Sequence, residues 1–152
     1  MKIFPYVLAV MFFALTTLPA QAASDISGAS DGFAIEGYDT VAYFNDGVAT
    51  KGNSQFTADW HGAKWRFASS EHRDLFMAHP VQYAPQYGGY CAYAAANNSV
   101  AEGAAERWKI VDNKLYLNAN FFAQKLWQNN IPSNISSADQ NWPEVQHKIK
   151  AK

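Results

Sequence analysis

Between Phe56 and Ala68 the sequence reads FTADWHGAKWRFA, and apolar residues alternate with polar ones on either side of HGAK. Phe56, Ala58 and Trp60 share one parity, Trp65 and Phe67 the other, and Gly62 stands between them. Period two broken by a glycine turn predicts a β-hairpin. The following SSEHRDLFMAHP changes period: Ser69 or Ser70 can cap a helix, Glu71 sits in its first turn, Leu75 and Phe76 supply an apolar face, and Pro80 ends the run.

Further on, Gly88 and Gly89 let the chain turn tightly into YCAYAAA, whose alanines predict a short, closely packed helix. RWKIVDNKLYLN predicts a second hairpin, with Trp108, Ile110, Leu115 and Leu117 apolar and Asp112-Asn113 as a two-residue turn. NANFFAQKLWQNN places Phe121, Phe122, Leu126 and Trp127 at helical spacing, and SSADQNWPEVQHKIKAK reads as one more helical turn followed by a basic, frayed tail over 143–152. EGYDTVAYFNDG, with Tyr38, Val41, Tyr43 and Phe44 ahead of Asn-Asp-Gly, reads as a short strand or a turn entering one. No internal sequence repeat is apparent, and the fold class expected is α+β: one small domain of two hairpins and several short helices.

The N-terminus changes the setting. Lys2 is followed by YVLAVMFFALTTL and then by PAQA, with small residues where a signal peptidase reads, so residues 1–22 are expected to be a secretory signal. The apolar run falls short of the roughly twenty residues a spanning helix needs, so no stable membrane anchor is expected after cleavage. The product would be exported, periplasmic or secreted. Residues 23–32, polar and turn-rich, read as a flexible leader, with the folded domain at 33–142. Without Lys2, the 12 basic and 13 acidic residues become a formal charge of −2, and no basic patch argues for nucleic acid.

Exported proteins usually pair their cysteines, whereas this chain has one, Cys91, in QYGGYCAYAAANN. Three fates are open to it: a buried inert thiol, a bridge to another molecule, or a thiolate ligand or nucleophile. His72 is a candidate borderline ligand or a solvated helix residue. His79 suits a helix C-terminus, and His61 and His147 suit the surface. Asp39, beside Tyr38, can orient a ligand or a metal-bound histidine, or it can close its own turn on backbone amides. Trp60, Trp65, Trp108 and Tyr90 are core residues or the lining of an aromatic cleft near Cys91 that binds a flat or apolar small molecule. No HExxH, CxxC, nucleophile elbow or phosphate loop supports an enzyme.

Taken together, GYDTVAYF, FTADWHGAKWRFASSEHRDLFMAHPVQYAPQYGGYCAYA and WKIVDNKLYLN resemble the exported branch of the YHS-domain family over roughly residues 33 to 142. The resemblance implies an aromatic hairpin leading into a Ser-initiated helix. In metal-handling members that helix begins at a Cys-Ser-x-x-Cys segment and an earlier cysteine completes the ligand set. Here Ala68 and His72 stand at those two positions, and the early cysteine has no counterpart. The standard thiolate site is therefore not inherited.

The expected function is a small exported binding protein that holds a soft or borderline transition metal, copper first or zinc, through Cys91 and His72 as a carrier or buffer. Tyr38, Asp39, Trp65 and Tyr90 are the accompanying candidates for binding a cofactor or small molecule. The alternatives are a structural or interaction module with no retained metal site, and a thiol-based redox sensor using Cys91.

Overall fold

A computed structural model describes residues 24–151, so the expected signal at 1–22 lies outside the described residues. Six helices and two two-stranded antiparallel sheets make an α+β domain. In chain order they are α1 (Thr40–Asn45), β1 (Asn53–Trp60), β2 (Ala63–Phe67), α2 (Ser70–Ala78), α3 (Pro80–Tyr83), α4 (Ala92–Ala96), β3 (Ala104–Val111), β4 (Lys114–Asn118), α5 (Phe121–Asn129) and α6 (Ile131–Lys150). None of the described helices is long and apolar enough to cross a membrane.

Both hairpins form where alternation placed them. β1 pairs with β2 through Ala58↔Trp65 and Trp60↔Ala63, and β3 pairs with β4 through Trp108↔Leu117 and Ile110↔Leu115. Each turn uses two consecutive left-handed residues, His61-Gly62 and Asp112-Asn113, as a two-residue hairpin turn requires. β4 is buried on both faces: Leu115 and Leu117 enter a core built around Trp65, Phe67 and Phe76, while Tyr116 enters a second core with Trp127, Ala95 and Ala138. This one strand therefore joins the two halves of the interior.

Three segments differ from the sequence expectation. TVAYFN is a helix, because the Asp39 side chain accepts from the Val41 and Ala42 amides and so nucleates α1 at its N-terminus. Of the leader expected to be flexible at 23–32, Ser24 to Gly28 is held against the domain. Ile26 and Ser27 are buried, the Ser27 amide donates to the Gly88 carbonyl, the Ser27 hydroxyl donates to Glu102, and Asp25 meets Gln146 and Lys150. Gly88 permits the approach, since a Cβ there would overlap the Asp25 carbonyl.

The third difference is the basic tail expected at 143–152. It is the second half of the twenty-residue α6, which continues through Pro143. Ile131, Ile135, Ala138, Trp142, Val145 and Ile149 recur at spacings of three and four, a stripe that packs on α4 and on Tyr87 and Tyr90. Proline removes one interior hydrogen bond, and burial of the stripe on both sides of it outweighs that loss.

Two measurements follow. Val145→Ala should cost about 2 kcal/mol in chemical denaturation, where a frayed tail would show no change. Tyr90, buried against Trp142 and close to Glu102 and Asp25, has its phenol pushed up to about 12, mainly by burial. The unfolded phenol ionises near 10, so above that pH the unfolded state sheds a proton that the native state keeps. Stability should be flat in this respect below pH 10 and should fall between pH 10 and 12. The fall should be shallower in Tyr90→Phe, read as unfolding midpoints across that range.

Candidate functional site

The residue around which chemistry assembles is Asp39, which is completely buried. Its Oδ1 accepts from the Val41 amide at 2.9 Å and the Ala42 amide at 3.3 Å. Its Oδ2 accepts from the Ala68 amide at 2.8 Å and lies 2.7 Å from His72 Nδ1. One oxygen of Asp39 thus closes the backbone turn, and the other holds a histidine.

His72 is delivered to this carboxylate by local helix chemistry. Ser69 is the N-cap of α2, and its hydroxyl accepts from the His72 amide at 3.1 Å, which sets the first turn and aims the ring inward. A carboxylate oxygen only accepts, so Nδ1 carries a proton, and in the neutral ring Nε2 has the free lone pair. The His72 side chain is 14 % exposed, and the one hydrogen bond its ring makes among the described residues is the Nδ1 contact with Asp39. This is the arrangement that fixes the orientation of an imidazole toward a cation.

Cys91 has a different environment. It is 1 % exposed and caps α4, with Sγ accepting from the Ala94 amide at 3.4 Å and lying 3.7 Å from Asn118 Oδ1. The backbone on either side is also engaged, since the Cys91 amide donates to the Ala101 carbonyl and Cys91 bridges Leu117. His72 and Cys91 share no hydrogen-bond partner, and the described residues hold no group of three or more histidine, cysteine, aspartate or glutamate side chains placed to hold a metal ion.

The remaining candidates are mainly packing residues. Trp65 is buried against Phe76, with its indole nitrogen donating to the Trp60 carbonyl at 3.0 Å. Tyr90 packs on Trp142 and Val145. Tyr38 lies under the Lys51 ammonium at 4.5 Å, and its phenol is raised by burial and by Glu106. The aromatic recess that does form holds 180 Å³ between Trp60, His61, Trp142 and the Asp25-Ile26 segment, and Cys91 does not line it. A larger groove of about 810 Å³ runs between His79–Gln82 and Asp112–Lys114, and neither Cys91 nor His72 lines it.

Sequence reasoning named Asp39 and His72 separately. It missed Asn118, an amide buried on a strand, whose Oδ1 accepts from the Tyr93 amide at 3.1 Å. The signal was present in LYLNAN, where a polar residue occupies the apolar end of a strand just before a helix cap.

No family model, curated protein or solved structure matches this chain.

Asp39→Asn tests the geometry. The amide oxygen can still cap α1, but an NH2 group would replace Oδ2 opposite the Ala68 amide and His72 Nδ1. The expected cost is about 2 kcal/mol in denaturation, with the neutral His72 ring switching from the Nδ1–H to the Nε2–H tautomer in nitrogen NMR.

Proposed function

We propose that this chain is a small exported binding protein of YHS type, in which a carboxylate-oriented histidine, His72, replaces the thiolate pair as the ligand-facing group. The observation that carries this reading is the 2.7 Å contact between His72 Nδ1 and the fully buried Asp39. Holding a carboxylate away from water is costly unless its oxygens are satisfied, and here the last acceptor contact is given to an imidazole whose other nitrogen makes no hydrogen bond among the described residues. The resemblance of the surrounding segments to YHS domains, with His72 at a cysteine position, supports the same assignment.

The ligand class follows from the donor. A neutral imidazole nitrogen suits copper or zinc and has little affinity for magnesium or calcium. A single imidazole makes an open site, completed by water, a small molecule or a partner's ligand, so exchange rather than tight storage is the activity that fits. Cys91 belongs to the architecture in this reading. A thiol-sensor role receives no support from a buried sulfur already used as a helix cap. The alternative of an interaction module with no metal has one observation in its favour: α5 leaves Phe121, Phe122 and Leu126 exposed on adjoining positions, Phe122 at 74 %.

Copper(II) titration followed by NMR discriminates these readings. Paramagnetic broadening should centre on His72 and Ala68 at substoichiometric metal, vanish in His72→Gln, and persist in Cys91→Ser. Broadening confined to His61, His79 and His147, or equal binding by His72→Gln, rejects the proposal.

A further inference from the structure

The two halves of the described chain repeat one backbone plan that the sequence does not announce. Ile35, Glu36 and Gly37 are three consecutive left-handed residues, and so are Tyr87, Gly88 and Gly89. Each triplet is followed by a tyrosine whose amide donates 2.9 Å back across it, Tyr38 to the Ile35 carbonyl and Tyr90 to the Tyr87 carbonyl. Next comes a capping residue whose own amide donates 2.8 Å to a distant carbonyl, Asp39 to Thr50 and Cys91 to Ala101. Tyr38 bridges Lys51 and Tyr90 bridges Glu102.

The correspondence continues through the hairpins. β1 and β3 have 8 residues each, β2 and β4 have 5, and α2 and α5 have 9. Register breaks between Asn53 and Thr57 in the first hairpin and between Ala104 and Trp108 in the second. Gly52 and Gly103 precede the first strands, and a Cβ on either would overlap the second strand of its own hairpin, at Arg66 and at Leu117. Ser69 and Asn120 cap the final helices, whose buried members are Phe76 and Trp127. Chance similarity of two hairpins would not reproduce the left-handed triplets, the bulges and the close glycines in one order.

In this frame Cys91 stands where Asp39 stands, Asn118 where Phe67 stands, and Ala123 where His72 stands. The carboxylate's work is divided in the second half. Asp39 Oδ1 accepts from the second and third amides of α1, whereas in α4 the Tyr93 amide goes to Asn118 Oδ1 and the Ala94 amide to Cys91 Sγ. Sulfur is a weak acceptor, and a buried helix start cannot leave an amide unpaired. The amide oxygen of Asn118 fills the gap.

We infer that the domain is two copies of one structural unit, that Cys91 and Asn118 together replace the single aspartate of the first copy, and that position 123 is the second copy's ligand-facing position, now closed by alanine. The last clause rests on the assignment of His72 as ligand-facing; the first two do not.

Installing the first copy's residues in the second tests all three. In Cys91→Asp/Ala123→His, the introduced imidazole should show the same Nδ1–H tautomer as His72, and copper broadening should appear at a second site. A folded variant whose introduced ring has the tautomer mixture of an exposed histidine overturns the equivalence. The matching tautomer without copper at either site keeps the duplication and rejects only the ligand assignment. Should the double variant not fold, Asn118→Leu in the native chain decides: the Tyr93 amide should exchange with solvent about tenfold faster while the Leu115 amide is unchanged, and an unaltered Tyr93 rate overturns the shared-cap inference.

Discussion

A single buried carboxylate ties together the elements of the first half. Asp39 contacts two amides of α1, the amide that closes β2, and the first-turn histidine of α2. None of these groups would be satisfied by a smaller or apolar side chain, and the carboxylate itself would be untenable without most of them. The position of α1 against the hairpin, the exit angle of β2 and the rotamer of His72 are therefore one decision rather than three. A site residue held in this way is precise because its support is needed for folding as well.

The second half solves the same packing problem with softer chemistry. Its capping residue is a thiol, its second acceptor is an amide from β4, and neither bears a charge that demands a counterpart. Stability there comes from the apolar stripe of α6, which covers α4 and the Tyr87–Tyr90 turn through Ala138, Trp142, Val145 and Ile149. Among the described residues no such helix is laid across the first half, whose cap is the carboxyl group of Asp39. The N-terminal segment then links the halves, since Ser27 contacts Gly88 and Glu102 while its carbonyl accepts from Ile35.

Much of the fold was legible because it rests on short-range rules. Period-two alternation and glycine or asparagine turns located both hairpins, and the Ser69-Ser70 cap, the helical spacing of Phe121 to Trp127 and the alanine run located α2, α5 and α4. What was not legible depended on distant partners. GYDTVAYF offers alternating aromatics that look strand-like, and only the capping role of Asp39 makes them helical. Pro143 looks like an end to helix, and only the burial of Val145 and Ile149 carries α6 past it. The polar leader looks mobile, and only Gly88 and Glu102 reveal its binding edge. The site was half legible for the same reason: His72 and Asp39 were each visible as residue types, but their pairing spans the first hairpin.

A lone cysteine is unusual among exported proteins, the class expected for this chain, yet rarity of a residue type is a statement about composition and not about chemistry. A thiol becomes a ligand or nucleophile when it is accessible and its thiolate is favoured. Cys91 has an acceptor's duty toward the Ala94 amide, which a thiolate would also perform, but it lies behind Leu117 and Asn118 with almost no exposed surface. Its equivalence to Asp39 gives a sufficient reason for a small acceptor at that spot, because every copy of the unit must start a short helix in a buried place. In such a unit the residue that the cap can orient is the one with a free edge, and His72 holds that place in the first copy where Ala123 holds it in the second.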